Sequence, residues 1–234
     1  FHKLYLEYFI FEPLLVLNKD KKWISRLSDK EVVFVSDSKV SRRNYILIKL
    51  SHHARWGDGK EISFEDVIFT KKVYKQAPRD TVAKKFYDLI ENIEFNSKNK
   101  ELKLIFRRGK ISTSVLGSFF ILPAHLEKPI WLKVKSNFSL YIKNSLYKLN
   151  PLHKGLYNGR YLPIKQDFNS LLLEKHPYRN EESLKSHILL KKIGSSSLDS
   201  GVDLIAESGC GKPLCDLQNM FSQKDFQKLK ASVY

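Results

Sequence analysis

The sequence predicts a mixed α/β fold of the α+β kind, in which strands and helices alternate irregularly. Three observations support this prediction. Aliphatic and β-branched runs have strand length, apolar residues recur at helical spacing in other segments, and no repeat of about 20 to 50 residues is present. The chain has 234 residues, and because 42% of them are hydrophobic it has enough apolar material for a core.

The N-terminal elements are predicted from apolar runs and the breaks between them. A short helix is expected at 2–11, and Pro13 ends its pattern because proline cannot continue a helix. A strand is expected at 14–17. Two more strands, at 31–35 and 44–50, flank a polar stretch, so we expect them to be antiparallel neighbours.

The segment 56–70, Trp-Gly-Asp-Gly-Lys-Glu-Ile-Ser-Phe-Glu-Asp-Val-Ile-Phe-Thr, is the most informative part of the sequence. The Asp-Gly pair at 58–59 predicts a tight turn, because glycine tolerates positive φ. Ser63, followed three residues later by Asp66, resembles a capping box. Apolar residues then recur at helical spacing, so we predict a helix over 64–76.

The rest of the chain is divided by polar turns and prolines. The remaining predicted elements are a helix at 81–89, a hairpin of strands 93–95 and 102–106, a helix at 113–120, a short turn at 124–127, strands at 161–164, 170–174, 187–190 and 202–205, and a closing helix at 216–230. The turn is predicted because Ile-Leu-Pro at 121–123 breaks the preceding helix, and Asn-Gly at 158–159 marks another turn.

The chain is strongly basic, with 41 Lys+Arg against 25 Asp+Glu and a formal net charge of +16. The cations occur singly or in pairs along the whole sequence, without a block of like charge. This pattern favours a generally basic surface over a dedicated polyanion site, so nucleic acid is not an expected partner. Every apolar run is interrupted before about 18 residues, so no membrane span is expected, and residues 1–11 lack a signal-peptide pattern.

The two cysteines, Cys210 and Cys215, lie in Cys-Gly-Lys-Pro-Leu-Cys. A turn within this stretch could bring the sulfurs together, so the pair is a disulfide candidate that would suit an oxidising compartment. A zinc site is the weaker alternative, because no further ligand is near in sequence.

Motifs that carry catalytic chemistry are absent. The sequence has no phosphate-binding glycine loop, no nucleophile elbow and no His-Glu-x-x-His helix. Asp58 and Asp66 are candidates for a carboxylate pair, but each already has a local role, as turn former and helix cap. The adjacent His52 and His53 would point to opposite faces of a strand. We therefore expect no catalytic constellation, no enzyme activity and no cofactor.

Several segments, taken in order, resemble the family 5 extracellular solute-binding proteins, the periplasmic oligopeptide-, dipeptide- and nickel-binding components of ABC importers. The matching segments are Phe-Glu-Pro-Leu-Leu at 11–15, Trp-Gly-Asp-Gly-Lys at 56–60, the helix start at 62–70, Ile-Leu-Pro-Ala-His-Leu at 121–126, Asn-Gly-Arg-Tyr at 158–161, Leu-Glu-Lys-His-Pro-Tyr at 173–178 and Gly-Val-Asp-Leu at 201–204. Three positions depart from the family's usual residues. His176 stands where the family has Asn, Arg160 where it has Pro or Ala, and Phe64 where it has Ala. These departures concern local geometry more than the fold.

The resemblance implies a lobe of the type II periplasmic-binding-protein fold, with a mixed sheet and flanking helices. Family members are about twice this length, within the size range where chains split into domains. The chain is therefore expected to be the first lobe over 1–206, followed at 207–234 by a helical segment that leads towards the second lobe.

The resemblance also implies that two lobes close on a solute, in most cases a peptide, and deliver it to an ABC permease at the periplasmic or extracytoplasmic face. The residues it places at the ligand are Phe11, Glu12, Pro13 and Leu14 and, more weakly, Phe86, Tyr87, Ser118 and Phe119. Core packing is the alternative for the aromatic residues. The first lobe alone is expected to bind solute weakly or not at all. A different class of function is also open, in which the lobe serves as a regulatory or interaction module with a basic surface.

Overall fold

The computed structural model describes residues 9–17, 22–36, 44–79, 81–107, 120–167, 170–179, 184–192 and 202–205. These residues form a mixed α/β structure of antiparallel sheets and flanking helices, as predicted. Several predicted features lie outside the described residues. These are residues 113–119 of the helix predicted at 113–120, the helix predicted at 216–230, the segment 207–234, the cysteine pair and most of the helix predicted at 2–11.

The first sheet element is a small antiparallel pair formed by β1 (Val16–Leu17) and β2 (Trp23–Ile24). It is shorter than the strand predicted at 14–17. Leu14 and Leu15 are both buried in the core. Consecutive buried residues do not fit a strand with one solvent-facing side, since successive side chains of a strand point to opposite faces.

A four-stranded antiparallel sheet follows, in the order β3-β4-β6-β5. Its strands are β3 (Val33–Ser36), β4 (Asn44–Lys49), β5 (Ile90–Asn96) and β6 (Glu101–Phe106). The predicted pairing of the strands near 31–35 and 44–50, and the predicted hairpin that ends at Phe106, are both confirmed.

The buried face of this sheet comes from residues two apart. Ile46 and Ile48 on β4 lie opposite Leu104 and Leu102 on β6, and all four side chains are buried. Two helices, α1 (Phe64–Lys75) and α2 (Val82–Leu89), connect β4 to β5. Their apolar side chains join the same core cluster as the sheet. The alternation of apolar residues along each strand therefore determines which face of the sheet packs against the core.

A helix, α3 (Ala124–Lys133), replaces the short turn predicted at 124–127. It contains Pro129, which lacks the backbone N–H that would donate to the carbonyl of His125. Packing outweighs this loss, because Ala124, Glu127 and Trp131 are all buried on one side of the helix. The turn prediction was wrong because it considered the break at Pro123 and not the helical spacing of the residues that follow.

Short helical elements follow α3. They are α4 (Phe138–Asn144), α5 (Leu146–Leu149) and a 3₁₀ turn (Lys154–Leu156). The side chain of Asn137 caps α4 by accepting a 3.0 Å hydrogen bond from the Leu140 N–H. Together with α1 and α3, α4 encloses a smaller cluster that includes Trp131 and Tyr141.

A second four-stranded antiparallel sheet has the order β10-β9-β8-β7. Its strands are β7 (Tyr161–Gln166), β8 (Ser170–Lys175), β9 (His187–Lys192) and β10 (Val202–Ile205). Pro163 lies next to a register shift in the edge strand β7, where a missing donor is tolerated. The strand pairs of the described ranges are all antiparallel, so the mixed sheet implied by the resemblance is not found there. No helix within these ranges is long and apolar enough to cross a membrane.

Candidate functional site

The entry segment 11–15 is held against the loop that precedes β7. The Glu12 N–H donates to Asn158 Oδ1 at 3.0 Å, and Asn158 Nδ2 donates to the Glu12 carbonyl at 3.0 Å. Both residues are buried, so each backbone group needs such a partner. The Asn158 side chain thus fixes the position of the segment that the resemblance places at the ligand.

Gly159 continues this contact. Its N–H donates to the Ile10 carbonyl at 2.9 Å. A Cβ added at Gly159 would lie 2.3 Å from the Ile10 carbonyl carbon and 2.5 Å from the Phe9 oxygen. Only glycine permits this approach of two backbones. The Asn-Gly pair at 158–159, predicted as a turn, serves as the docking point for the entry segment.

Glu12 also has a partner for its charge. Its carboxylate oxygen lies 3.4 Å from Arg26 Nε, and the Glu12 side chain is 4% exposed. Arg179 reaches the same region and donates to the backbone oxygens of Arg26 at 3.3 Å and Asn158 at 3.0 Å. The buried Glu12 carboxylate is therefore paired with an arginine, as a buried charge requires.

Asp66 connects three elements through one buried carboxylate. Its Oδ2 accepts from the Ser63 N–H at 2.8 Å and from Trp56 Nε1 at 3.3 Å, and its Oδ1 accepts from the Ala124 N–H at 2.7 Å. The Ser63–Asp66 pair forms the predicted capping box. Burial raises the pKa of the Asp66 carboxyl, while these donors act in the opposite direction. The capping interpretation of Asp66 is confirmed, and the contact with α3 is additional.

Asp58 forms the predicted turn and one further contact. The Lys60 N–H donates to Asp58 Oδ1 at 3.1 Å, and Gly59 has φ of 91°. Asp58 Oδ2 lies 2.7 Å from His125 Nε2 at the start of α3. Burial alone would raise the pKa of Asp58, but the His125 hydrogen bond, the Lys60 N–H and the His125 charge together lower it. Asp58 and Asp66 have separate partners and roles.

His176, a departure from the resembled family, is a buried residue at the end of β8. Its N–H donates to the Arg160 carbonyl at 2.9 Å, and its Nδ1 accepts from the Tyr178 N–H at 3.3 Å. Burial, followed by the positive charge of Arg179, lowers the pKa of His176 to about 4. The imidazole is therefore neutral at physiological pH.

A pocket of about 400 Å³ lies beside the entry segment. Six aromatic rings line it, those of Phe11, Tyr74, Phe120, Phe138, Tyr141 and Tyr147. We call it the aromatic pocket. The Phe11 ring lies 5.1 Å from that of Phe120 and 5.9 Å from that of Tyr147, so Phe11 forms part of a continuous wall. Its size and composition are those of a small-molecule site.

The polar groups of the aromatic pocket are few. Burial, and then the charge of Glu127, raise the pKa of the Tyr141 hydroxyl, which is therefore neutral. The Tyr147 hydroxyl donates to the Leu156 carbonyl at 2.8 Å. Lys148 is the charged residue among those that line the pocket.

The structure brings only some of the expected site residues to this pocket. Phe11 lines it. Glu12 is held by Arg26, and Leu14 is in the core. Pro13 is buried next to them.

The more weakly placed residues lie elsewhere. Phe86 and Tyr87 are both buried in the first core cluster, the packing alternative for these aromatics, and the Tyr87 ring stacks on Tyr74 at 5.6 Å. Ser118 and Phe119 lie outside the described residues.

The sequence interpretation did not identify the rest of this site. Tyr141, Tyr147 and Lys148 were not singled out, because α4 and α5 were not predicted. The signal available was the capping residue Asn137 followed by Phe138 and Tyr141, which are three residues apart on the same helix face. Across the described ranges, no three His, Cys, Asp or Glu side chains form a group that could hold a metal ion.

The fold was compared with known proteins. No protein-family model matches the chain, and no curated protein matches it. Among solved structures, the chain is similar to an oligopeptide binding protein from Thermus thermophilus complexed with a pentapeptide. The two share 20% identity with a TM-score of 0.59, over 74% of this chain and 33% of that one.

Two other similar structures bind different ligands. NikZ from Campylobacter jejuni, in complex with Ni(L-His), shares 17% identity with a TM-score of 0.57, over 80% of this chain and 34% of that chain. A periplasmic oligopeptide-binding protein of an ABC transporter from Thermotoga maritima, with bound mannohexaose, shares 18% identity with a TM-score of 0.51, over 73% of this chain and 28% of that chain.

These similarities show that the chain has the fold of part of a type II periplasmic binding protein, and they confirm the resemblance at the level of the fold. The matched part is only about a third of the length of each solved structure. The three similar structures hold a pentapeptide, Ni(L-His) and mannohexaose, respectively.

Proposed function

We propose that this chain is the first lobe of an extracytoplasmic solute-binding protein, which captures a peptide-type solute together with a second lobe. The main support for the proposal is the position of the entry segment. The fold is that of proteins that bind oligopeptides, and the segment that borders the ligand by resemblance is held rigidly by Asn158 and Gly159, with Phe11 at the aromatic pocket. Preorganised walls reduce the entropy lost on binding.

In this proposal the protein is a carrier and not an enzyme. Closure of two lobes around the solute is a hinge motion with the site at the interface between them. The closed form would then be recognised by an ABC permease at the periplasmic or extracytoplasmic face of the membrane. Peptide, rather than a metal chelate or a sugar, is proposed because the chain resembles peptide-binding proteins and the similar structure from Thermus thermophilus is complexed with a pentapeptide.

Thermal unfolding of the protein encoded by the complete gene, with di- to pentapeptides and nickel–histidine added separately, tests this role. A ligand that binds only the folded state raises the unfolding midpoint as its concentration exceeds Kd. We expect a saturable rise with peptides. A midpoint unchanged by every peptide and by nickel–histidine would exclude the solute-binding role.

A basic interaction module is the second candidate, supported by the net charge of +16. Retention on immobilised DNA at increasing salt separates the two functions, because phosphate contacts give a steep salt dependence. We expect weak retention that is lost at physiological salt. Strong, steeply salt-dependent retention together with no response to peptides would favour the interaction module.

A further inference from the structure

We infer that the aromatic pocket binds a small apolar carboxylate, with its hydrocarbon part between the aromatic rings and its carboxylate on Lys148. This inference needs only the lobe described and does not rest on the proposed transport role.

The walls of the pocket favour a flat apolar group. Phe11, Phe120 and Phe138 contribute apolar rings from three different segments, and Val73 and Leu122 line the pocket as buried aliphatic side chains. Burying an aromatic group against such rings is favourable through both area and ring-edge contacts. A volume of about 400 Å³ is large enough for a ring with a short chain.

The charge of the pocket favours an anion. Lys148 is exposed at its rim, and no ion pair of Lys148 is found within the described ranges. Glu127, the carboxyl next to Tyr141, does not line the pocket and caps α5 by accepting from the Leu146 N–H at 2.8 Å. An incoming carboxylate therefore meets one cation and no lining anion.

The hydroxyl groups of Tyr147 and Ser145 do not form an alternative site that would favour a cationic ligand. The Tyr147 hydroxyl donates to Leu156, and the Ser145 hydroxyl donates to the Ile142 carbonyl at 3.4 Å. The hydroxyls of Tyr74 and Tyr141 also belong to pocket-lining residues, so Lys148 is not the sole polar group there, but it is the charged one that would pair with the charged end of a ligand. An amine of the same shape would be repelled by it.

Ligand-observed NMR on the 234-residue chain, with 4-phenylbutyrate as the probe, tests this inference. For a ligand of this size in a preformed pocket we expect a Kd of about 0.1 to a few millimolar. The neutral 4-phenylbutanol should bind about two- to fivefold more weakly, because an exposed ion pair contributes only modestly.

Three variants make the test specific. Lys148→Gln should weaken phenylbutyrate about two- to fivefold and leave phenylbutanol unchanged. Ile142→Trp, at a half-exposed pocket residue, should remove binding of both by filling the pocket. Lys143→Gln is the matched control, since Lys143 is exposed on the neighbouring helix but does not line the pocket.

The inference is overturned if phenylbutyrate does not bind, if phenylbutyrate and phenylbutanol bind equally, or if the Ile142→Trp variant binds as well as the parent chain.

The C-terminal residue of a peptide can also carry an apolar group and a carboxylate, so binding of the dipeptide Gly-Phe and of its C-terminal amide is measured as a second experiment. Stronger binding of Gly-Phe than of its amide identifies peptide termini as a source, and binding of phenylbutyrate alone identifies free acids. If the protein binds peptides for transport but the aromatic pocket binds none of these probes, the inference about the pocket is wrong and the proposed function stands.

Discussion

The backbone of Glu12 and the side chain of Asn158 are joined by two reciprocal hydrogen bonds of 3.0 Å, across 146 positions of sequence. This pair ties the entry segment to the second sheet. Around it, Gly159 permits the close approach and Arg179 binds the Asn158 carbonyl. The wall proposed to contact solute is thus positioned by residues far from it in the sequence.

Asn158→Ala should destabilise the chain by about 2 to 4 kcal/mol, because it leaves the buried Glu12 N–H and carbonyl without partners. Asn158→Asp keeps the acceptor and loses the donor, so an intermediate loss is expected. Urea unfolding measures both. Asn144→Ala, at an exposed asparagine with one hydrogen bond, is the control and should change stability by less than about 0.5 kcal/mol. Equal losses for the two alanine variants would show that the Glu12–Asn158 contact is not stabilising.

Asp66→Asn should cost about 1 to 3 kcal/mol of unfolding free energy. The carboxylate accepts hydrogen bonds on both oxygens, and an amide must turn its NH₂ towards at least one of those donors. Asp88→Asn is the comparison, since Asp88 forms only a partly exposed pair with Lys84. If chemical denaturation shows the two variants to be equally stable, Asp66 does not organise the junction of α1 and α3.

The pH dependence of stability should contain a contribution from His176. Its pKa is about 4 in the folded chain and 6.5 in the unfolded chain, so between these values the unfolded state binds more protons. Stability from this residue is therefore present above pH 6.5 and is lost as pH falls towards 4, with a slope of up to about 1.4 kcal/mol per pH unit.

His176→Asn should flatten that part of the curve. The control is His187→Asn, at an exposed histidine, and it should leave the slope unchanged. Urea midpoints between pH 4 and 7 measure the difference. Identical pH profiles for the parent chain and His176→Asn would mean that His176 is not buried in its neutral form.

His125→Ala should raise the pKa of the Asp58 carboxyl, because the hydrogen bond and charge that lower it are removed while burial remains. A carbon-13 NMR titration of Asp58 measures this pKa directly. Since Asp58 is partly exposed, the associated loss of stability at neutral pH should be under about 1 kcal/mol. His52→Ala, at an exposed histidine, should leave the Asp58 titration unchanged, and an unchanged titration in His125→Ala would contradict the pairing.

The elements that sequence analysis predicted correctly are local. The Ser63–Asp66 capping box and the hairpin that ends at Phe106 each depend on neighbouring residues, so their patterns are visible in short windows. The helix α3 was predicted only as a short turn because Pro123 indicates a break, whereas the burial of Trp131 that stabilises the helix is a tertiary effect.

The candidate site was harder to predict than the fold. The resemblance placed Phe11 at the ligand, and the structure places its ring in a pocket wall. The place of Lys148 at the pocket could not be predicted from the sequence, because no local pattern distinguishes it from the other scattered lysines. The partner of Glu12, Arg26, was equally invisible, since pairing between separate segments leaves no periodic signal.

Isothermal titration of one peptide, selected by thermal shift, into both the complete gene product and the 234-residue chain tests the central claim most directly. If the chain is one wall of a two-lobed site, the complete protein should bind the peptide at least about tenfold more tightly, since the second lobe supplies the remaining contacts. Equal affinities for the two proteins, or no binding by the complete protein, would contradict the account.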